Sequence, residues 1–151
     1  VRELYGLTLY RLDNWKGALR ELRAFSELTG SVDQCPVAAD CERALGHHDR
    51  VAEIWSDLRR AGASSDVVTE GRLVMAGSLA DRGRIDEAIA LVRPAARHVH
   101  RPQERHVRQW YLLADLYERS GDIPRARELF GRVVAADPEL SDAAERLAAL
   151  R

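Results

Sequence analysis

The sequence predicts an all-α solenoid of four helical hairpins followed by a capping helix. Three observations carry this. Apolar residues recur at spacings of three and four along most of the chain, and period-two alternation is not sustained anywhere. Helix-ending and helix-starting residues punctuate that pattern at regular intervals. The punctuated unit also repeats: the junctions Asp13, Gly46, Gly83 and Gly121 lie 33, 37 and 38 residues apart.

Each junction is followed five residues later by a small or branched residue: Ala18, Val51, Ala88 and Ala126. Four residues further on comes a larger apolar one: Leu22, Trp55, Val92 and Phe130. Seven residues upstream lie Gly6, Ala39, Ala76 and Ala114. Small residues let paired helices approach, and large ones fill the space between hairpins.

In chain order, helices are expected near 2–12, 15–29, 35–45, 49–60, 66–82, 85–98, 104–120 and 123–136, with a last one near 142–150. The first pair carries Tyr5, Gly6, Leu9, Ala18, Leu22 and Phe25 on its packing stripes. The second is the most divergent, with Glu42 and Val51 at stripe positions. The third keeps Met75, Ala76, Leu79, Ala88, Val92 and Ala95. In the fourth, Trp110, Leu113, Ala114 and Tyr117 share a face, Gly121 can end the helix left-handed, and Asp122 can cap the next. Pro124 is tolerated in a first turn, and Asp137-Pro138 ends the hairpin. The final helix offers Leu147 and Leu150 for packing and a capping box from Asp142 and Glu145. Longer connections at 61–65 and 99–103 are expected to be loose.

The Trp-Leu-Ala-Tyr-Gly-Asp-Ala-Phe-Pro series of the fourth hairpin resembles the tetratricopeptide repeat, at Trp110, Leu113, Ala114, Tyr117, Ala126, Phe130 and Pro138. The resemblance extends over about the whole chain, as one domain with repeats near 1–32, 33–65, 66–103 and 104–138 and a cap at 141–151. Glu42 departs from it, standing where the family has Tyr. The resemblance implies a right-handed α-solenoid whose first helices line a concave groove for a peptide or protein. On that face fall Glu3, Leu7, Tyr10, Asp40, Arg43, Leu73, Asp81, Tyr111, Asp115 and Arg119. Tyr10 and Tyr111 lie off the packing stripe, and the Tyr, Leu, Arg and Asp mixture suits a protein contact. The partner-binding set is Leu7, Tyr10, Asp40, Arg43, Leu73, Tyr111, Asp115 and Arg119. Peptide-binding members clamp a C-terminal carboxylate with Lys, Asn and Arg. The matching positions here are Glu3, Leu7, Val37, Glu70 and Val74 in one frame, and Pro36, Asp40, Val74, Arg108 and Leu112 in the other. Neither rebuilds the clamp.

Composition narrows the classes. The chain has 151 residues, 46% hydrophobic and 31% charged, with a net charge of −1. These values suit a folded protein and give no global attraction to nucleic acid or anionic lipid. No apolar run reaches membrane-spanning length. Cys35 and Cys41 form neither a metal pattern nor a disulfide framework, and Cys41 reads as a buried thiol, favouring a cytoplasmic location. Lys16 is the sole lysine among 23 basic residues, a bias that resembles high-GC bacteria such as actinomycetes. The chain opens at Val1 inside a helical pattern, without Met or a capping residue, and reads as a fragment.

No phosphate loop, nucleophile elbow or paired-His helix turn is present, so no catalytic residue, cofactor or metal site is expected. His98, His100 and His106 cluster, and His47 pairs with His48, but zinc needs three or four converging ligands. The segment 93–108 holds Arg93, Arg97, Arg101, Arg105 and Arg108 against Glu104. It offers nucleic-acid or acidic-partner binding as an alternative, although no stacking aromatics interleave there apart from Trp110, which the repeat pattern places in the core. Self-association through the uncovered first hairpin is the other alternative.

Overall fold

The computed structural model describes residues 1–150. Those residues form nine α-helices and one 3₁₀ turn: α1 (Arg2–Arg11), α2 (Trp15–Thr29), α3 (Cys35–Ala44), α4 (His48–Arg60), α5 (Ser65–Asp81), α6 (Ile85–Val92), α7 (Glu104–Ser120), α8 (Ile123–Ala136) and α9 (Ala143–Ala149). The expected Arg151 end of the cap lies outside the described residues. The helices make two compact units, Val1–Ser78 and a second beginning at Leu79.

All four junction residues adopt the left-handed conformation: Asp13 at φ 60°, Gly46 at 78°, Gly83 at 76° and Gly121 at 89°. Glycine does this without steric cost, whereas Asp13 is the non-glycine variant that αL tolerates. Asn14 and Asp122 then cap α2 and α8, accepting from the Gly17 and Arg125 amides.

The small stripe residues are buried as the repeat requires: Ala39 at 3% exposure and Ala18, Ala76, Ala88, Ala114 and Ala126 at 0%. Gly6 has no space for a side chain, since a β-carbon there would lie 2.9 Å from the Leu22 side chain. Gly71 is tighter still, at 2.5 Å from Leu58 and 3.1 Å from Trp55. In the N-terminal unit Leu9, Ala18, Leu19 and Cys41 form a core cluster, with Tyr10, Trp15, Ala38 and Leu45 packed on it. In the C-terminal unit Trp110, Leu113, Leu116, Phe130 and Val133 are buried.

Two expectations need correction. The helix expected to reach residue 98 stops at Val92 and continues as a 3₁₀ turn, Arg93–Ala95. Pro94 lacks the amide an α-helix would use and its ring crowds the preceding turn. The connection after it is irregular but fastened at its start: Arg132 donates to the Ala96 carbonyl at 3.4 Å and Trp110 Nε1 to the Arg97 carbonyl at 3.2 Å. The capping box at Asp142 does not form, because that carboxylate accepts from the Tyr111 hydroxyl instead. A capping box occurs at α7, where His106 Nδ1 accepts from the Gln103 amide at 2.9 Å. The cap contributes Ala143 at 0% exposure to the core, with Leu147 and Leu150 half-buried.

Candidate functional site

The first helices of the hairpins carry the expected partner-binding residues, and each unit treats them differently. In the N-terminal unit, Leu7 and Tyr10 on α1, Asp40 and Arg43 on α3, and Leu73 on α5 are all half-buried. The Tyr10 hydroxyl donates to Asp40 Oδ2, and its ring meets Trp15 edge-on at 5.6 Å. Asp40 Oδ1 lies 3.6 Å from Arg43 Nη1. The Arg43 guanidinium in turn lies over Gly77, where a β-carbon would stand 2.6 Å from it. Gln34 donates to Glu3 at 3.3 Å, tying α1 to the start of α3. The result is a polar chain from Tyr10 of α1 to Asp40 and Arg43 of α3, with the Arg43 guanidinium packed over α5. Its side chains are fixed, and fixed polar groups lose less entropy when a partner binds.

In the C-terminal unit the same face is already occupied by the cap. Arg146 of α9 donates to Asp115 Oδ1 at 2.7 Å, Glu118 Oε1 at 3.1 Å and the Tyr111 hydroxyl at 3.2 Å. Its guanidinium lies 4.7 Å from the Phe130 ring centre and 5.6 Å from that of Tyr111. Burial works to lower the Arg146 pKa, but its hydrogen bonds to Asp115, Tyr111 and Glu118 prevail and hold it above the ordinary value. The Tyr111 hydrogen bond holds the Asp142 carboxyl below its ordinary range. Arg119 is more exposed and pairs with Asp115 Oδ2 at 3.0 Å. Tyr111 and Asp115 thus hold the cap on. The sequence signal for this was available, since Arg146 stands four residues after Asp142 on one helix face.

Sequence reasoning also missed the role of Glu42. It is 1% exposed, and its two oxygens engage Arg23 and, at 2.7 Å, His47 Nδ1. His48 Nδ1 lies 2.7 Å from Ser78 Oγ. His98 and His100 are exposed, and His106 completes the α7 capping box with Gln103. Among the described residues, no three His, Cys, Asp or Glu side chains converge as metal ligands. Nor is any helix among them long and apolar enough to cross a membrane.

Both cysteines are free. Cys41 is fully buried, and desolvation, helped by the Asp40 and Glu42 carboxylates, pushes its thiol up to about 12. Burial also raises Cys35, against a hydrogen bond with Ser26. A small thiol reagent at about pH 8 is therefore expected to label Cys35 slowly in the native protein and Cys41 only after unfolding, as read by mass spectrometry.

A family model described as tetratricopeptide repeat matches residues 107–150, spanning α7 to α9. No curated protein matches the chain. Among solved structures, the TPR2AB-domain:pHSP90-complex of yeast Sti1 matches with a TM-score of 0.57 at 13% identity, covering 99% of this chain and 68% of that one. At that identity the likeness is one of fold.

Proposed function

We propose that this chain, a tetratricopeptide-repeat protein by the sequence of residues 107–150 and by its fold, is a non-enzymatic scaffold for a protein or peptide partner. The face carrying Leu7, Tyr10, Asp40, Arg43 and Leu73 is the contact we assign in the N-terminal unit. Tyr111, Asp115 and Arg119 lie on the corresponding face of the C-terminal unit, where the cap takes up Tyr111 and Asp115 and leaves Arg119 available. The observation that carries the reading is the preformed Tyr10–Asp40–Arg43 chain flanked by half-buried leucines. Apolar anchors beside fixed polar groups are the make-up of protein contact surfaces. The pHSP90 ligand belongs to the Sti1 complex. Here Glu3, Leu7, Val37, Glu70 and Val74 replace the clamp that would hold a C-terminal carboxylate, so a different ligand is expected. Two free thiols suit a reducing cytoplasm, and the arginine bias suits an actinomycete-like source.

Leu7→Glu with Leu73→Glu is expected to lose a partner that the wild-type chain recovers quantitatively from cells of the source organism. Arg97→Glu with Arg101→Glu is expected to retain it. Circular dichroism would confirm that all three baits are equally helical. Equal recovery by both variants would refute the groove contact.

A specific observation favours a second reading, self-association. Leu4, Tyr5, Leu12 and Leu28 are 51–75% exposed on α1, the turn after it and α2. Exposed apolar side chains of this size on one hairpin supply the surface that a second copy would cover. A doubling of mass in light scattering at micromolar concentration, abolished by Leu4→Asp with Tyr5→Asp, would establish it.

A further inference from the structure

The departure of the second hairpin from its repeat pattern builds a basic cleft that shares no residue with the face described above. Glu42 stands where the pattern has Tyr, and it is a buried carboxylate held from two sides. Arg23 of α2 engages one oxygen and His47, the N-cap of α4, the other. A buried carboxylate must keep such partners, because losing one leaves an uncompensated charge. Glu42 therefore fixes two exposed bases in place along one wall.

Around them an open cleft of about 520 Å³ is lined by α2 from Lys16 to Glu27, by Glu42 and Leu45, and by His47 and Arg50. Lys16, Arg20, Arg23 and Arg50 line it with Glu27 and Glu42; Arg50 is paired with Glu53 and Arg23 with Glu42, so the positive charge most open to a ligand is that of Lys16 and Arg20. Lys16 and Arg20 are one turn apart on α2. Arg20 comes no closer than 3.7 Å to Glu21, which Arg2 holds at 3.2 Å. Leu19, Ala24 and Leu45 supply apolar surface between the charges.

Shape and chemistry together select the ligand. The α2 wall from Lys16 to Glu27 rises about 16 Å, the span of roughly five extended residues. Its cations, Lys16, Arg20 and Arg23, occupy about 10 Å of that wall, a length that matches two or three anionic groups in series better than one small anion. No Phe, Tyr or Trp lines the cleft, and its one aromatic ring, the His47 imidazole, is tied to Glu42, so it lacks the row of rings on which successive bases stack. We infer that this cleft binds an acidic peptide segment. Its carboxylates meet Lys16, Arg20 and Arg23, one apolar side chain rests on Leu19, Ala24 and Leu45, and Glu42 acts as a positioning residue.

The test uses fluorescein-labelled octapeptides with permuted glutamate and leucine, a lysine–leucine control, a deoxythymidine oligonucleotide and inorganic phosphate. Fluorescence anisotropy is expected to show saturable binding of acidic members, weakened by added salt, and none of the lysine peptide. Lys16→Glu with Arg20→Glu changes only exposed residues and is expected to raise Kd by about tenfold or more. Arg97→Glu with Arg101→Glu is expected to leave Kd within about twofold. Amide shifts on titration should centre on Leu19, Arg23 and His47 and spare Leu7 and Leu73. The inference is overturned if no acidic peptide saturates below about 1 mM, or if the charge reversal leaves its Kd unchanged. It is equally overturned if the oligonucleotide binds more tightly, or if phosphate at matched ionic strength displaces the peptide.

Discussion

Truncating Phe130 to alanine is expected to destabilise the C-terminal unit by about 3–5 kcal/mol, the usual cost of emptying a large aromatic site in a packed core. The side chain is 0% exposed and fills the large position of its repeat. Its ring meets Tyr111 edge-on at 5.8 Å and lies under the Arg146 guanidinium. The substitution therefore removes apolar burial together with the aromatic surface that seats the cap. Native-state amide exchange of α7 and α8 would read the loss locally, where whole-chain unfolding would mix it with the other unit. A cost below about 1 kcal/mol would mean that the cavity collapses and that Phe130 does not organise the unit.

Replacing Arg146 with alanine is expected to cost about 2–4 kcal/mol, because it leaves the partly buried Asp115 without its principal cation. Asp115 and Glu118 are 14% and 28% exposed at their side chains, so water only partly replaces the lost partner. The stacking on Phe130 and Tyr111 is lost as well. Arg119→Ala is the control: that side chain is 53% exposed, and its pair with the same carboxylate is expected to be worth less than about 1 kcal/mol. A cycle of Arg146→Ala with Phe130→Ala should show coupling, since the two side chains touch. If Arg146 and Arg119 cost the same, the cap is not held through Asp115 and Tyr111.

The fold was legible because each hairpin is written in local terms. Asp13, Gly46, Gly83 and Gly121 mark turns that need a left-handed residue, and the residues seven before and five after them, alanine except for Gly6 and Val51, mark close helix contacts. Such signals depend on neighbours in sequence, which is why the helix limits agree to within a few residues. The misread end of α6 was local too, since Pro94 was in plain view.

The candidate site was only half legible. That Tyr10 and Tyr111 lie off the packing stripe follows from helix periodicity. What they touch does not, because Asp40 is thirty residues from Tyr10 and Asp142 thirty-one from Tyr111. One tyrosine braces a face that stays open and the other fastens the cap. Glu42 was visible as a departure from the pattern, but its meaning depended on Arg23 and His47 reaching it from separate elements.

The central claim is that the N-terminal unit presents a partner-binding face through α1, α3 and α5. The most direct test places a photo-crosslinking amino acid at position Leu7 in one preparation and at position Arg101 in another, each irradiated in cells of the source organism. A discrete heavier adduct from the Leu7 position alone, suppressed by Arg43→Glu, is the expected result. Adducts that are identical from both positions, or an adduct from Leu7 with twice the mass of the chain, would contradict it.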